Sequence, residues 1–452
     1  MHRISAGAVA VGLVATMTIA GGVAGAEGPD LILHDGVLIT MDPDRPRAAA
    51  IAIAGERILA VGTDEEILAL AEAGTTVIDL DGLTVTPGFI DSHSHWIGDR
   101  ELYGVTSADE AIQTALEGGW TSINEHFVNQ DRLDELTALD AAGALRLRVN
   151  AYLPVNYGPD QRFGMWFAEH TPGEVIGPRL RLAGVKFFID GCGPDTMYLS
   201  APHADDPSNL GEFHWGRREL RRMVRRVHDA GWQIAAHACG DGATDEILDA
   251  LRLAFDGASG RRFRPRIEHV IALRDDQLAR MRRMGVLPSF QLTFVDSTWK
   301  VDLNRAFGPE RYDLLGRWRD LMDDPRLHAI GSTDTPYGEG FDLSPTTVMD
   351  ALAQATTRVG EPGTKPAPYM RAQRLTVMQA LEALTVRGAY GVFAEDDLGM
   401  LRAGMLADLV VLSEDPRDVP RAQLERIDVA IVLVGGLLEV CASGYEAWCP
   451  PA

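Results

Sequence analysis

Eight apolar, strand-like runs alternate with helical patterns through the middle of this chain, and that alternation restricts its fold more than any other feature. The runs are GFIDSH (88–93), WTSINE (120–125), RLRVNAYL (146–153), GVKFFID (184–190), WQIAAHA (232–238), RPRIEHV (264–270), GVLPSF (285–290) and LHAIGSTD (327–334). Helical periodicity fills most gaps, at 108–119, 217–231, 241–255 and 274–285, and recurs at 376–389. Strand–helix alternation means parallel pairing with right-handed crossovers. Eight such units over about 300 residues predict an α/β fold of the (β/α)8 TIM-barrel type. An open doubly wound sheet is the rival arrangement.

Strand-like segments also lie outside this region, at 31–42, 48–62 and 75–95, and again at 407–415 and 429–441. No linker separates either end from the middle. The two end clusters join most simply into one small β-sandwich flanking the barrel. The expected division is 27–86 and 398–452 for the sandwich and 87–397 for the barrel.

The first 26 residues read as a signal peptide. Met1-His2-Arg3 is a basic start, Ala6 to Ala20 is apolar and small, and Ala24-Gly25-Ala26 fits signal-peptidase cleavage. The expected location is secreted or periplasmic, with a retained membrane anchor as the alternative. No later run reaches the roughly 18 apolar residues of a spanning helix, so no stable membrane insertion is expected after cleavage. With 42 basic against 65 acidic residues, the net charge of −23 argues against nucleic acid and anionic membrane as partners. A small-molecule substrate is the expected partner. An oxidising compartment permits disulfides. Cys441 and Cys449, in CASGYEAWCP, have no neighbour that completes a zinc pattern and read as a short-loop disulfide. Cys192 and Cys239 follow adjacent strands, and both readings stay open for them, paired near the barrel rim or separate.

Barrels of this type take their functional residues from the C-terminal ends of strands. His93 and His95 end the first run, Lys186 lies within the fourth, His237 falls near the end of the fifth, His269 ends the sixth and Asp334 the eighth. Any one of these reads as readily as a core residue. Together, neutral imidazoles and a carboxylate at strand ends suit Zn²⁺ and similar ions. No G-x-S-x-G elbow favours a serine hydrolase, and no G-x-G-x-x-G follows a strand. Candidates for substrate contact are Trp96 after the histidine motif, Glu125, His126 and Asn156 after the second and third strands, Asp190, Asp195 and His203 after the fourth, and Gln291 and Trp299 after the seventh. Each reads equally as a solvated loop residue.

The segments PGFIDSHSH (87–95), GVKFFIDG (184–191), HACGD (237–241), IEH (267–269), GSTD (331–334) and LGMLRAGMLADLVVLSEDP (398–416) resemble the amidohydrolase superfamily. HACGD with GVKFFIDG is most similar to its amidohydrolase-3, or YtcJ-like, branch. The resemblance implies a binuclear site with His93, His95, Lys186, His237, His269 and Asp334 as metal ligands. Two divalent ions are expected, zinc first among them. It further implies that Lys186 reacts with CO₂ to a bridging carbamate, and that Asp334 is the catalytic acid–base group. The implied activity is hydrolysis of an amide or related C–N bond by a metal-activated hydroxide. A salt bridge from Lys186 to Asp190, with one ion, is the alternative for that residue. Alternatives for the whole chain are a deaminase, a dipeptidase-like enzyme, an ester or lactone hydrolase, or a non-catalytic exported metal- or solute-binding protein.

Overall fold

The computed structural model describes residues 28–295, 303–338, 343–360 and 363–450. The signal-peptide reading of residues 1–26 and the candidate Trp299 fall outside the described residues.

The middle of the chain is an eight-stranded parallel barrel. Its strands, in order round the sheet and along the chain, are Phe89–Ser94, Trp120–Glu125, Arg148–Pro154, Leu180–Phe188, Gln233–Ala238, Arg266–His269, Leu287–Gln291 and Ile330–Ser332. The first and last strands meet just beyond the ladder. There the Asp334 N–H donates to the His93 carbonyl (2.9 Å) and the His95 N–H to the Thr335 carbonyl (2.8 Å). The strands are covered on both faces, so they read as near-continuous apolar runs. Trp120–Glu125, for example, is buried at every position.

The sequence marks the helix starts. Ser107 caps Ala108–Glu117 by accepting the Glu110 N–H, and Asn129 caps Gln130–Ala141 by accepting the Arg132 N–H. Thr376 and Gln379 form a capping box at the start of Val377–Leu384. Two boundaries differ from the sequence expectation. The fourth strand begins at Leu180, ahead of the apolar run, because Leu180 and Leu182 alternate buried with half-exposed Arg181. The helix expected over 376–389 breaks at Thr385, whose backbone leaves the helical region and whose hydroxyl donates to the Leu381 carbonyl.

Both chain ends build two further sheets. A six-stranded sheet runs Leu437–Cys441, Val429–Val434, Leu409–Leu412, Thr84–Pro87, Val37–Ile39 and Arg47–Ala48. Thr84–Pro87 pairs antiparallel with Leu409–Leu412, so an N-terminal strand is bonded directly to a C-terminal one. A four-stranded sheet runs Arg57–Gly62, Ala50–Ala54, Leu31–His34 and Thr76–Asp79. Leu33, Ile51 and Ile53 of this sheet share one apolar core with Leu409, Val411 and Ile431 of the other. The expected Cys441–Cys449 disulfide is formed at the end of the last strand.

Candidate active site

The site starts from a strand end held in an unusual register. His93 and His95 are two residues apart and so share one face of the first barrel strand. Pairing with the second strand shifts between Asp91 and Ser94, an irregularity of the kind found beside active sites. Asp91 fixes this corner from beneath. Its carboxylate accepts the Thr333 N–H (2.9 Å) and the Trp96 Nε1–H (3.1 Å). Thr333 is the residue before Asp334, so one buried carboxylate locks the histidine strand to the strand that carries Asp334.

The six strand-end residues converge on the floor of a cavity of about 200 Å³. Asp334 Oδ1 lies 3.3 Å from His93 Nε2 and 3.4 Å from His95 Nε2. Its other oxygen lies 3.8 Å from His269 Nδ1. The His237 and His269 rings meet with centroids 4.2 Å apart. Lys186 Nζ stands 3.3 Å from His93 Nε2. Phe127, His269 and Asp334 face the cavity with φ of 60°, 76° and 62°. Non-glycine residues held in this left-handed region mark strain that the surrounding structure must impose, as at many functional sites.

The donor set fits a divalent ion. Both ring nitrogens of His269 and Oδ1 of Asp334 are buried without a hydrogen bond of normal geometry, which is costly unless a ligand satisfies them. Burial holds His93 and His237 well below the ordinary histidine range, helped by the charge of Lys186 against His93 and of His269 against His237. It brings His269 to about 4. Neutral imidazole is the form that binds metal. For His95, burial acts in the same direction, but the Asp334 and Asp99 carboxylates outweigh it and the value rises. Burial brings Lys186 down to about 7, so its amine loses its proton near neutrality.

A charged layer supports this floor from behind. Glu268 Oε2 lies 2.9 Å from His93 Nδ1, and Glu268 is clamped in turn by fully buried Arg266. Arg266 also donates to the Tyr152 hydroxyl and the Ser92 carbonyl. His126 is stacked between His93 and Tyr152, with centroids at 3.8 and 4.4 Å, and both of its ring nitrogens are buried without a hydrogen bond.

The eight candidates for substrate contact among the described residues do not line the cavity; Asp195 pairs with Arg305 (3.5 Å) and His203 Nε2 lies 3.2 Å from the Met197 carbonyl. Trp96 is buried and bonded to Asp91. Glu125 accepts the backbone N–H groups of Ile97 and Gly98. His126 stands behind His93. Asn156 bonds both the N–H and the carbonyl of Phe188. Asp190 accepts three backbone N–H groups, from Tyr198, Cys239 and Gly240, and Gln291 donates to Ser332 Oγ. The walls are instead Phe127, Tyr157, Phe188, Phe294, Asp99 and Tyr337. Phe127 and Tyr157 each adjoin a residue singled out from the sequence, so the region was identified but not the side of the chain that faces inward. Phe188 lies two residues beyond Lys186, and strand alternation alone places it on the same face. Lys186 has Glu268, Asp334 and Arg266 as its charged neighbours, whereas Asp190 faces His237 at 3.7 Å.

The sequence profile of the amidohydrolase family matches residues 103–438. Putative amidohydrolase YtcJ of Bacillus subtilis is 26% identical over 339 residues, which cover 73% of this chain and 60% of that relative. The chain thus spans less than two thirds of YtcJ. N-substituted formamide deformylase of Arthrobacter pascens is 22% identical over 92% of this chain and 99% of its own length. Among solved structures, a metal-dependent hydrolase from Pyrococcus horikoshii superposes with a TM-score of 0.74 at 24% identity, over 86% of this chain and 99% of that one. Barrel, strand-end residues and profile agree, and the chain belongs to the amidohydrolase family, of the amidohydrolase-3 type.

Proposed function

We propose that this chain is an exported enzyme that hydrolyses an amide or related C–N bond of a small molecule. The observation that carries this reading is the convergence of four histidines, Lys186 and Asp334 from five barrel strands on one buried floor. His93 and His95, with Asp334, would hold one divalent ion, zinc first among the candidates. His237 and His269 would hold a second. Ions there supply Lewis acidity for the scissile carbonyl and ionise a water at neutral pH. Lys186 stands by the carboxylate that both groups share. Its neutral amine can add CO₂, releasing one proton and forming a carbamate that ligates as a carboxylate. Asp334, at the mouth of the eighth strand, is placed to accept a proton and return it to the leaving nitrogen. Phe127, Tyr157 and Phe188, with ring centroids 5.0 to 5.9 Å apart, form one wall. Tyr337 and Asp99, bonded through the tyrosine hydroxyl (3.1 Å), form another part. A cavity of about 200 Å³ suits one small flat or apolar group beside the scissile bond.

Export is supported by the leader-like N-terminus and by two disulfides, which persist in oxidising compartments. No helix among the described residues is long and apolar enough to cross a membrane. The name of the deformylase relative, which points to a substituted formamide, favours a C–N bond. The deciding experiment is a hydrolysis panel of formamides, larger amides, cyclic amides, dipeptides, esters, lactones and amino-heterocycles, with Asp334→Asn as control. Amide turnover that disappears in the variant supports the proposal. Turnover confined to esters, lactones or deamination would replace it, and a metal-loaded chain inert to the whole panel would favour a binding protein.

A further inference from the structure

Cys192 and Cys239 are joined in a disulfide with Cα atoms 5.4 Å apart. Cys192 follows the fourth barrel strand and lines the cavity with Lys186, His237 and His269. Cys239 follows His237 by two residues, on the same side of the strand, and its sulfur lies 3.5 Å from His237 Nε2. The sulfur atoms of both cysteines and a ring nitrogen of His269 all lie within 4.8 Å of one another. His269 is also one of the histidines that faces Asp334.

The cross-link is not what holds these two strand ends together. The Asp190 carboxylate, two residues before Cys192, accepts the N–H groups of Cys239 (3.0 Å) and Gly240 (2.9 Å). The Ile189 N–H donates to the His237 carbonyl (3.1 Å). Opening the S–S bond therefore leaves the Cys192 thiol at the cavity wall and the Cys239 thiol buried behind it, both beside His269. Around one tetrahedral zinc, with Zn–S near 2.3 Å and Zn–N near 2.0 Å, two thiolates and an imidazole stand roughly 3.5–3.8 Å apart. The three donor atoms, already within 4.8 Å of one another, can take up that spacing once the sulfurs are free to separate. Two thiolates and an imidazole select Zn²⁺ or Cd²⁺ over Mg²⁺ or Ca²⁺.

We propose that the Cys192–Cys239 disulfide masks a second, thiolate metal site, formed on reduction by Cys192, Cys239 and His269, and that this site withdraws His269 from the hydrolytic centre and switches the enzyme off. The coupling rests on the reading of His269 as a hydrolytic ligand; the thiolate site does not. A dithiol is the reductant: it loses two electrons and two protons and becomes a disulfide, while the Cys192–Cys239 bond breaks and takes up both. The two thiol protons leave to solvent as the ion binds. A chain still in a reducing compartment would be held inactive, and oxidation after export would release it.

The test uses the full chain in a Cys441→Ser/Cys449→Ser background, so that one disulfide remains. Metal-free protein is reduced with a dithiol, desalted without oxygen and titrated with Co²⁺. The expected result is a thiolate-to-cobalt charge-transfer band in the near ultraviolet that saturates at one ion. The oxidised chain and a Cys192→Ser/Cys239→Ser variant should lack the band. Circular dichroism of the reduced chain checks that the fold persists. Hydrolysis by zinc-loaded enzyme should fall at least about tenfold on reduction, as for other disruptions of a metal's ligand environment, whereas turnover of the double-serine variant, whatever its level, should not respond to the dithiol. A natively folded, reduced chain without the band would overturn the thiolate site. A band accompanied by unchanged turnover would overturn the switch. A chain inert to every substrate before reduction would instead sink the hydrolase reading, with the cobalt titration still deciding the site.

Discussion

Glu268 Oε2 lies 2.9 Å from His93 Nδ1, and this contact turns the opposite nitrogen, Nε2, toward Lys186 and Asp334. Burial alone would raise the Glu268 carboxyl, but Arg266 beside it brings the value to about 2. Glu268 is therefore ionised and an acceptor, so His93 carries its proton on Nδ1 and presents a lone pair at Nε2. Arg266 is buried with Glu268, and each neutralises the other. The tautomer of one candidate ligand is set two side chains away from the cavity.

Glu268→Gln should weaken metal binding by about 10–100-fold, the usual range for removing a carboxylate behind a ligating histidine. It should also destabilise the fold by about 3 kcal/mol or more, because Arg266 is left buried without its counter-charge. Chelator competition measures the first effect and denaturant unfolding the second. Unchanged metal affinity would show that His93 is held by packing against His126 instead.

Without metal the buried histidines should cost the protein stability on mild acidification. His269 titrates at about 4 in the folded chain against 6.5 for an ordinary histidine, and His93 and His237 are shifted the same way. Between those values the unfolded chain binds more protons at these histidines than the folded one. The histidine contribution therefore rises with pH across the window and is lost as pH drops from 6.5 toward 4, while the buried carboxyls of Asp91, Glu125 and Asp190, raised by burial to about 6, 7 and 8, act in the opposite direction. Each histidine contributes a slope of up to about 1.4 kcal/mol per pH unit. Urea unfolding at pH 7.5, 6 and 5 measures this slope. Saturating metal should oppose the loss, since the bound form binds neutral imidazole.

The barrel was legible because its strands are buried on both faces and therefore read as unbroken apolar runs of the right length. The six strand-end residues were legible because the barrel fixes which end of each strand is chemical. What faces the cavity beside them was harder to read. Phe127 turns inward through a left-handed backbone conformation, which breaks the alternation that assigns faces. Tyr337 and Asp99 come from loops without periodicity, brought together by a hydrogen bond across 238 residues of sequence. The Arg266–Glu268 pair was within reach. Two opposite charges at i and i+2 in a strand expected to be buried must share a face and neutralise each other. Cys239 was legible in the same way, because strand alternation puts it on the face of His237.

Opening the Cys441–Cys449 disulfide should lower stability by about 2–3 kcal/mol in the loop-entropy account, since the loop it closes is short. The two cysteines are 8 residues apart and staple the final turn to the last strand of the six-stranded sheet. Cys441→Ser/Cys449→Ser should therefore shift the denaturant midpoint but leave kcat unchanged, because neither cysteine lines the cavity. A change in kcat at constant metal content would show that the sandwich and the cavity are coupled.

Carbamate formation on Lys186 should switch on as pH rises. Only the neutral amine attacks CO₂, and burial brings this lysine to about 7. Uptake of ¹³C-bicarbonate by metal-free protein, followed by the carbamate carbon resonance, should be clear at pH 8 and nearly absent at pH 6. Lys186→Arg keeps a cation in place but cannot form the carbamate. It should show no resonance and bind at most one ion tightly. Two tightly held ions in that variant would show that Asp334 alone suffices as the shared carboxylate.

Asp334 is the residue on which the hydrolytic reading depends most. Its carboxylate faces His93, His95 and His269, its N–H is bonded to the His93 carbonyl, and its strained backbone points the side chain into the cavity. Asn at this position keeps the size and one oxygen, and the backbone bond is unaffected, so the fold should persist and most of the metal should remain. The amide cannot take up a proton from water and return it to a leaving nitrogen. Turnover should therefore fall at least about 10²-fold, the lower end for loss of a general acid–base group. Metal content measured alongside kcat separates this loss from simple loss of the ion. Should a metal-loaded Asn variant turn over near normally, the proton must move through another group. His126 is sealed between two rings and Asp190 is committed to three backbone N–H groups, so the candidate would be Asp99 at the cavity wall. A combined Asp99→Asn substitution in that background should then abolish activity.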